Sequence, residues 1–160
     1  MLVVDRARRR TLGILFAALW WLIFAMTAAA DTPILSAPDA QAKVASGDIV
    51  LLDIRSRGEW ADTGLAEGAW PVSMHEPDFG VRLRAILAAF PPEQIALICA
   101  TGGRTAHVAS ILRQNGIDGV VDVSEGMMGN PRGPGWIARG MPVVTLEEAT
   151  KAYEAASEKW

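Results

Sequence analysis

Cysteine, histidine and tyrosine are among the scarcest residues of this chain: its 160 residues hold one Cys, two His and one Tyr. One cysteine excludes an intramolecular disulfide, so the fold must be held by its apolar core. One cysteine and two histidines make no cluster of the kind that holds a metal ion. Positive charge is also short. The formal net charge is −3, and four of the fifteen basic residues, Arg6, Arg8, Arg9 and Arg10, fall in the first ten positions. From Asp31 onward 11 basic residues face 17 acidic ones, a net −6, which argues against a nucleic-acid partner. No internal repeat or low-complexity tract appears after residue 30.

Apolar side chains are plentiful, at 51% of the chain, enough for one globular domain and an appendage. The appendage is at the front. The arginine cluster precedes an uncharged apolar stretch from Thr11 to Ala30, which ends in Ala28-Ala29-Ala30 before Asp31. A basic segment, an apolar segment and small residues ahead of a charge have the layout of a secretory signal peptide, with cleavage expected after Ala30. The alternative is an uncleaved anchor, because about 20 apolar residues span a bilayer. With the arginines held in the cytoplasm, both readings carry the domain outside it, to a periplasmic or other extracytoplasmic space. Membrane contact is expected only if the leader stays attached.

Beyond the leader, short apolar runs alternate with helical patterns. Ile49 to Ile54, Ile95 to Cys99 and Val120 to Val123 read as buried strands, and Trp70 to Ser73 as a strand that its proline pushes to an edge. Helices are expected from Pro38 to Ser46, Phe79 to Phe90 and Thr105 to Asn115, the last closed by Gly116. The expected class is α/β, with a largely parallel central sheet covered by helices on both faces. Residues 31–144 would form the domain. Within 145–160, Thr145 to Glu148 has capping-box spacing, and Leu146, Ala149, Ala152, Tyr153, Ala156 and Trp160 make an apolar stripe. That is a final helix packed on the domain or, alternatively, offered to a partner.

The single cysteine, Cys99, stands where the run Ile95 to Ile98 stops and the turn Ala100-Thr101-Gly102-Gly103-Arg104-Thr105 begins. Ligands of such sheets bind beyond the carboxyl ends of the strands. Gly102 and Gly103 would let the backbone curl with positive φ, so that successive N–H groups point at the sulfur and favour its thiolate, the nucleophilic form. Thr105 would cap the following helix, and Arg104 would add a fixed positive charge. An unpaired thiol in an oxidising compartment is a liability unless it is used.

The run Cys99 to Thr105 resembles the active-site loop of the rhodanese family of single-domain sulfurtransferases: a cysteine, four residues, an arginine and then Ser or Thr. Other segments are similar in the same order. Leu51-Leu52-Asp53-Ile54-Arg55 with Glu59-Trp60, Gly68-Ala69 with Val72, Asn115-Gly116-Ile117, Val120 to Val123, Glu125-Gly126, Trp136 and Gly140-Met141-Pro142-Val143 extend the resemblance over roughly residues 34 to 144. It implies a three-layer rhodanese-like fold with Cys99 as nucleophile and Ala100, Thr101, Gly102, Gly103, Arg104 and Thr105 as the cradle. The implied reaction moves a sulfane sulfur from a small sulfur-containing anion, such as thiosulfate, onto Cys99 and then to an external thiol or cyanide. Neither a metal nor an organic cofactor is implied. With no second cysteine the acceptor must be external. Related phosphatases carry five residues between Cys and Arg; the four here fit one sulfur better than a tetrahedral oxyanion. The resemblance also leaves room for a persulfide carrier or sulfur sensor that passes its sulfur to a protein partner. In many active members the residue after the cysteine is basic, and here it is Ala100, so the implied pull on thiosulfate is weaker.

Other candidates have two readings each. Asp53 and Arg55 would support the pocket floor, or the carboxylate at the strand end would cap a loop or pair with a nearby arginine. His107 would be a base, or a surface or packing residue one turn into its helix; His75 reads as loop. Met127, Met128 and Arg132, in a segment rich in Gly and Pro, would line the mouth of the site or sit in an ordinary loop. Trp60, Trp70 and Trp136 are assigned to packing.

Overall fold

Strands buried on both faces read as unbroken aliphatic runs rather than alternating ones, and three such runs form the centre of the molecule: Val50–Asp53 (β2), Ile95–Ile98 (β5) and Val121–Val123 (β6). The computed structural model describes residues 31–159. The leader expected over residues 1–30 lies outside the described residues. Two shorter strands complete the main sheet, Ile34–Leu35 (β1) and Ala69–Pro71 (β4). The order is β1-β6-β5-β2-β4 and every neighbouring pair is parallel. The proline-bearing strand therefore lies at an edge, where a missing N–H breaks no interior ladder. A separate antiparallel pair joins Leu65–Ala66 (β3) to Val143–Val144 (β7).

Among the described residues six α-helices flank the sheet: Ala37–Ser46 (α1), Arg57–Thr63 (α2), Phe79–Ala89 (α3), Gly103–Gln114 (α4), Gly135–Ala138 (α5) and Leu146–Ser157 (α6). Side chains alternate across a strand, and the core divides accordingly. Leu51, Ala96, Ile98, Val121 and Val123 pack with Ala37, Ala40 and Trp136 on the side of α1 and α5. Leu52, Ile54, Ile95, Leu97 and Cys99 pack with Leu83 and Ile86 of α3 and Val108 and Leu112 of α4 on the other. Parity thus turns the Cys99 side chain toward α3 and α4.

The ends of the helices follow their sequences. Ser36 caps α1, its hydroxyl accepting from Asp39 N–H at 3.3 Å. Ser56 with Glu59, and Thr145 with Glu148, form complete capping boxes at α2 and α6. In α6, Tyr153 meets Trp70 edge to face at 5.4 Å with Arg82 over its ring at 4.8 Å, and Ala149 packs with Trp60 and Leu65. At its far end α4 is closed by Gly116 with φ +78°, as expected.

The start of α4 corrects the sequence reading. The helix begins at Gly103 rather than Thr105, and its N-cap is Gly102, which has no side chain to cap with. Thr105 instead lies within the first turn, wholly buried, and donates back to the Gly102 carbonyl at 2.8 Å.

Candidate active site

Cys99 follows the last residue of β5 and is 1% exposed. The Gly102 N–H donates to its Sγ at 3.1 Å, and Thr105 Oγ1 lies 3.8 Å from the sulfur. The first-turn N–H groups of α4 have no intrahelical acceptors, so the sulfur sits where a helix N-terminus favours negative charge. Gly102 has φ +83°, and a Cβ there would overlap the Ser124 carbonyl oxygen. Gly103 differs. It is not in the left-handed region and a Cβ would meet nothing within 4 Å, so only one of the two expected glycine hinges is required by the backbone.

The loop is held from behind by the segment after β6. Met127 N–H donates to the Cys99 carbonyl and Met128 N–H to the Ala100 carbonyl, both at 2.8 Å. Asn130 Nδ2 bonds the Thr101 carbonyl at 2.8 Å and the Ser124 carbonyl at 2.7 Å. With three loop carbonyls engaged on that side, the peptide planes are fixed, and a fixed peptide aims its N–H as well. Gly126, at φ +66°, permits this contact, since a Cβ would press on the carbonyls of Cys99 and Ala100. Glu125 anchors the segment in turn, accepting from Ala37 N–H at 2.7 Å, Gly135 N–H at 2.9 Å and Arg139 Nη2 at 3.0 Å. Burial pushes the Glu125 carboxyl up, but those donors outweigh it and hold it below its ordinary range.

Arg104 does not stand free. Its guanidinium grips Glu59 in two-point fashion at 2.5 and 2.8 Å, and Nη1 lies 3.2 Å from His75 Nε2. The hydrogen bond from Arg104 is the largest influence on the Glu59 carboxyl and brings it down to about 2. The positive charge expected beside the sulfur is thus compensated by a carboxylate at the start of α2. Asp53 and Arg55 form a second pair, 2.7 Å apart and almost wholly buried. Arg55 also donates to Thr63 Oγ1 at 2.8 Å and the Gly64 carbonyl at 2.7 Å. This pair ties the end of α2 to β2, and α2 carries Glu59, so its link to the cradle runs through that helix.

Among the remaining candidates, His107 is exposed on α4, as is Met128 on its loop, while Met127 is buried. Arg132 is exposed and its N–H is held by Asn130 Oδ1 at 2.7 Å. Trp60, Trp70 and Trp136 are packed as expected. Sequence reasoning missed three contributors: Glu59 as the partner of Arg104, His75 beside it, and Asn130 as the clamp. A signal existed for the first, because Ser56 to Glu59 has the same capping-box spacing as Thr145 to Glu148 and fixes where the Glu59 side chain starts.

Comparison with known proteins agrees with this geometry. Residues 36–129 match the rhodanese-like domain. No curated protein matches significantly. Among solved structures, the polysulfide-sulfur transferase homodimer of Wolinella succinogenes is similar over 84% of this chain and 93% of its own, at 26% identity and a TM-score of 0.52. The thiosulfate sulfurtransferase of Pseudomonas aeruginosa is similar over 71% of this chain, at 26% identity and a TM-score of 0.55, although the match spans only 20% of that protein. Rv0390 of M. tuberculosis, at 20% identity and a TM-score of 0.51 over 71% of this chain and 97% of its own, shares the fold. A parallel sheet with a cysteine loop at the carboxyl end of its central strand, and a family match over more than half its length, mean that the chain belongs to the rhodanese-like domain family.

Proposed function

We propose that the protein transfers a sulfane sulfur from thiosulfate or a related donor to an external thiol or cyanide through a persulfide on Cys99. The observation that carries the reading is the Cys99 sulfur under the Gly102 N–H, in a loop with four residues between Cys99 and Arg104. The family match and the two sulfurtransferases among the similar structures support sulfur transfer in general.

The chemistry is a pair of nucleophilic displacements. The Cys99 thiolate attacks the outer sulfur of the donor, an S–S bond forms, and the donor's own S–S bond breaks with its electron pair leaving on sulfite. The persulfide then carries one negative charge on its terminal sulfur, within reach of the loop's N–H groups. Cyanide or a thiolate attacks that terminal sulfur, and the electron pair returns to Cys99. No net oxidation occurs.

A second feature bears on the donor. Ala100 adds no charge, and Arg104 is neutralised by Glu59, so the site offers less attraction to a dianion than the loop sequence alone suggests. A singly charged polysulfide or persulfide donor, or delivery to a partner protein, is favoured on this count. The decisive experiment follows thiocyanate formation from cyanide with thiosulfate and with inorganic polysulfide as donors. Turnover with either, abolished in Cys99→Ala, supports the reading; release of phosphate from an aryl phosphate without sulfur transfer overturns it.

The proposal extends to location. The basic and apolar segments of residues 1–30 support export to an extracytoplasmic space, and N-terminal sequencing of the exported protein distinguishes a mature chain beginning at Asp31 from a retained anchor.

A further inference from the structure

β6 carries one residue that the packing of the sheet does not explain. Val121 and Val123 face the α1 side, so Asp122 between them is turned to the α4 side, where Cys99 lies. It is 3% exposed, and its Cα is in register with Leu97, two residues before Cys99 on the neighbouring strand. Its Oδ1 is buried without a hydrogen-bond partner among the described residues. A buried carboxylate with an unpaired oxygen is costly, and a carboxylic acid in that place is less so. Burial accordingly pushes Asp122 up, with the Thr105 hydroxyl and the charge of Arg132 acting against it.

Thr105 acts on this carboxyl and also lies near the sulfur. Its side chain is wholly buried, interacts with Asp122, and places Oγ1 2.8 Å from the Gly102 carbonyl and 3.8 Å from Cys99 Sγ. A hydroxyl has one proton to give and accepts two. The threonine gives its proton to the Gly102 carbonyl; a carboxylate competes for that proton as well, whereas a carboxyl that gives its own proton to Oγ1 leaves the Gly102 carbonyl alone to compete with the sulfur for it. The other charges around Asp122 are few. Arg132 faces it from the loop after β6, while Arg104 and Arg113 on α4 are engaged by Glu59 and by Thr32, and His107 is exposed. Toward β5 the ionisable neighbour is Cys99, and β1 presents Ile34 in register.

We propose that Asp122 is a positioning residue for Cys99, acting through Thr105: as a carboxylic acid it donates to Thr105 Oγ1 and turns the threonine hydroxyl onto the cysteine or persulfide sulfur, and as a carboxylate it draws that hydroxyl away. The inference rests on the reading of Cys99 as a sulfur carrier. It accounts for the retention of an unpaired buried carboxyl, a feature that lowers stability and is kept where a site needs it.

The test measures the single-turnover rate of Cys99 persulfide formation with thiosulfate and with inorganic polysulfide across the neutral range, together with thermal stability, in wild type, Asp122→Asn, Asp122→Leu and Thr105→Val. Asp122→Leu is expected to be at least as stable as wild type yet slower by about tenfold, the scale of one lost hydrogen bond to a charged group. Asp122→Asn, uncharged at every pH and able to donate to Thr105, is expected to stay within about twofold of the wild-type maximum. Its pH–rate profile should lack one ionisation that the wild type shows. Adding Asp122→Leu to Thr105→Val should slow the reaction no further. A wild-type rate in Asp122→Leu, a loss that merely tracks lost stability, an Asp122→Asn variant as slow as the leucine variant, or additive slowing in the double variant each overturns the proposal. A wild type that takes up no sulfur overturns the sulfur-carrier reading itself, and the role of Asp122 with it.

Discussion

Two adjacent glycines in the Cys99 loop have unequal tasks. Gly102 sits in the left-handed region with the Ser124 carbonyl where its Cβ would be, whereas Gly103 has ordinary backbone angles and open space. Gly102→Ala is therefore expected to cost at least about 1–2 kcal/mol for the backbone conformation alone, with the overlap added to it, and to displace the N–H that meets the sulfur. Gly103→Ala should be neutral or stabilise slightly, since alanine suits a first helical turn. Thermal unfolding of the two variants side by side checks this. Glu59 offers a second contrast. Its carboxyl is held near 2 against an ordinary value of 4.5, so its contribution to stability is complete above pH 4.5 and is lost as the pH falls through 2. Glu59→Gln should flatten that part of the acid limb in a series of melting temperatures, with Glu125 and Glu148, whose carboxyls are also lowered, retaining the remainder. Freed from Glu59, Arg104 would attract anions more strongly; roughly 1 kcal/mol of added attraction corresponds to a fall of about fivefold in KM for thiosulfate. An unchanged KM would mean that Arg104 does not face the donor. The place of Cys99 was legible at this scale, because an apolar run stopping at a cysteine before two glycines marks a buried strand that ends in a turn. The Arg104 to Glu59 pair was not, because 45 residues separate its members and nothing local joins them.

At the level of elements, β5, the loop and α4 form one unit, braced by the 124–130 segment on one side and by α2 on the other. The buried Asp53–Arg55 pair fixes α2 to β2. Removing one partner leaves an uncompensated buried charge, so Arg55→Met should cost about 3–5 kcal/mol, and the double variant Asp53→Leu/Arg55→Met should recover much of the loss. Denaturant unfolding of the three proteins measures it; a single variant as stable as wild type would show that the pair does not anchor α2. Long elements were legible and short ones were not. The runs at β2, β5 and β6, the stripe of α6 and its capping box follow from spacing. β1, β3 and β7 have two residues each, too few to show a period, and they are set by pairing across the chain. The start of α4 was misplaced for a related reason: a threonine before an apolar stripe looks like a cap, but the backbone turn at Gly102 had already begun the helix. Thr105 then falls inside the first turn, buried beside the sulfur.

At the scale of the whole molecule, the parallel sheet with helices on both faces puts its loops at the carboxyl ends of the strands, where Cys99 and the 124–130 segment meet. The α/β class could be read from alternation alone. The detailed shape of the site could not, because it depends on which distant loops face each other once the sheet has formed. With one cysteine in the chain, any sulfur loaded on a thiol must be on Cys99. Incubating the protein with thiosulfate or polysulfide and weighing it by mass spectrometry should reveal one added sulfur atom, removed by cyanide and missing in Cys99→Ala. An intact wild type that gains no sulfur from either donor, or a Cys99→Ala variant that gains it equally, would contradict the account.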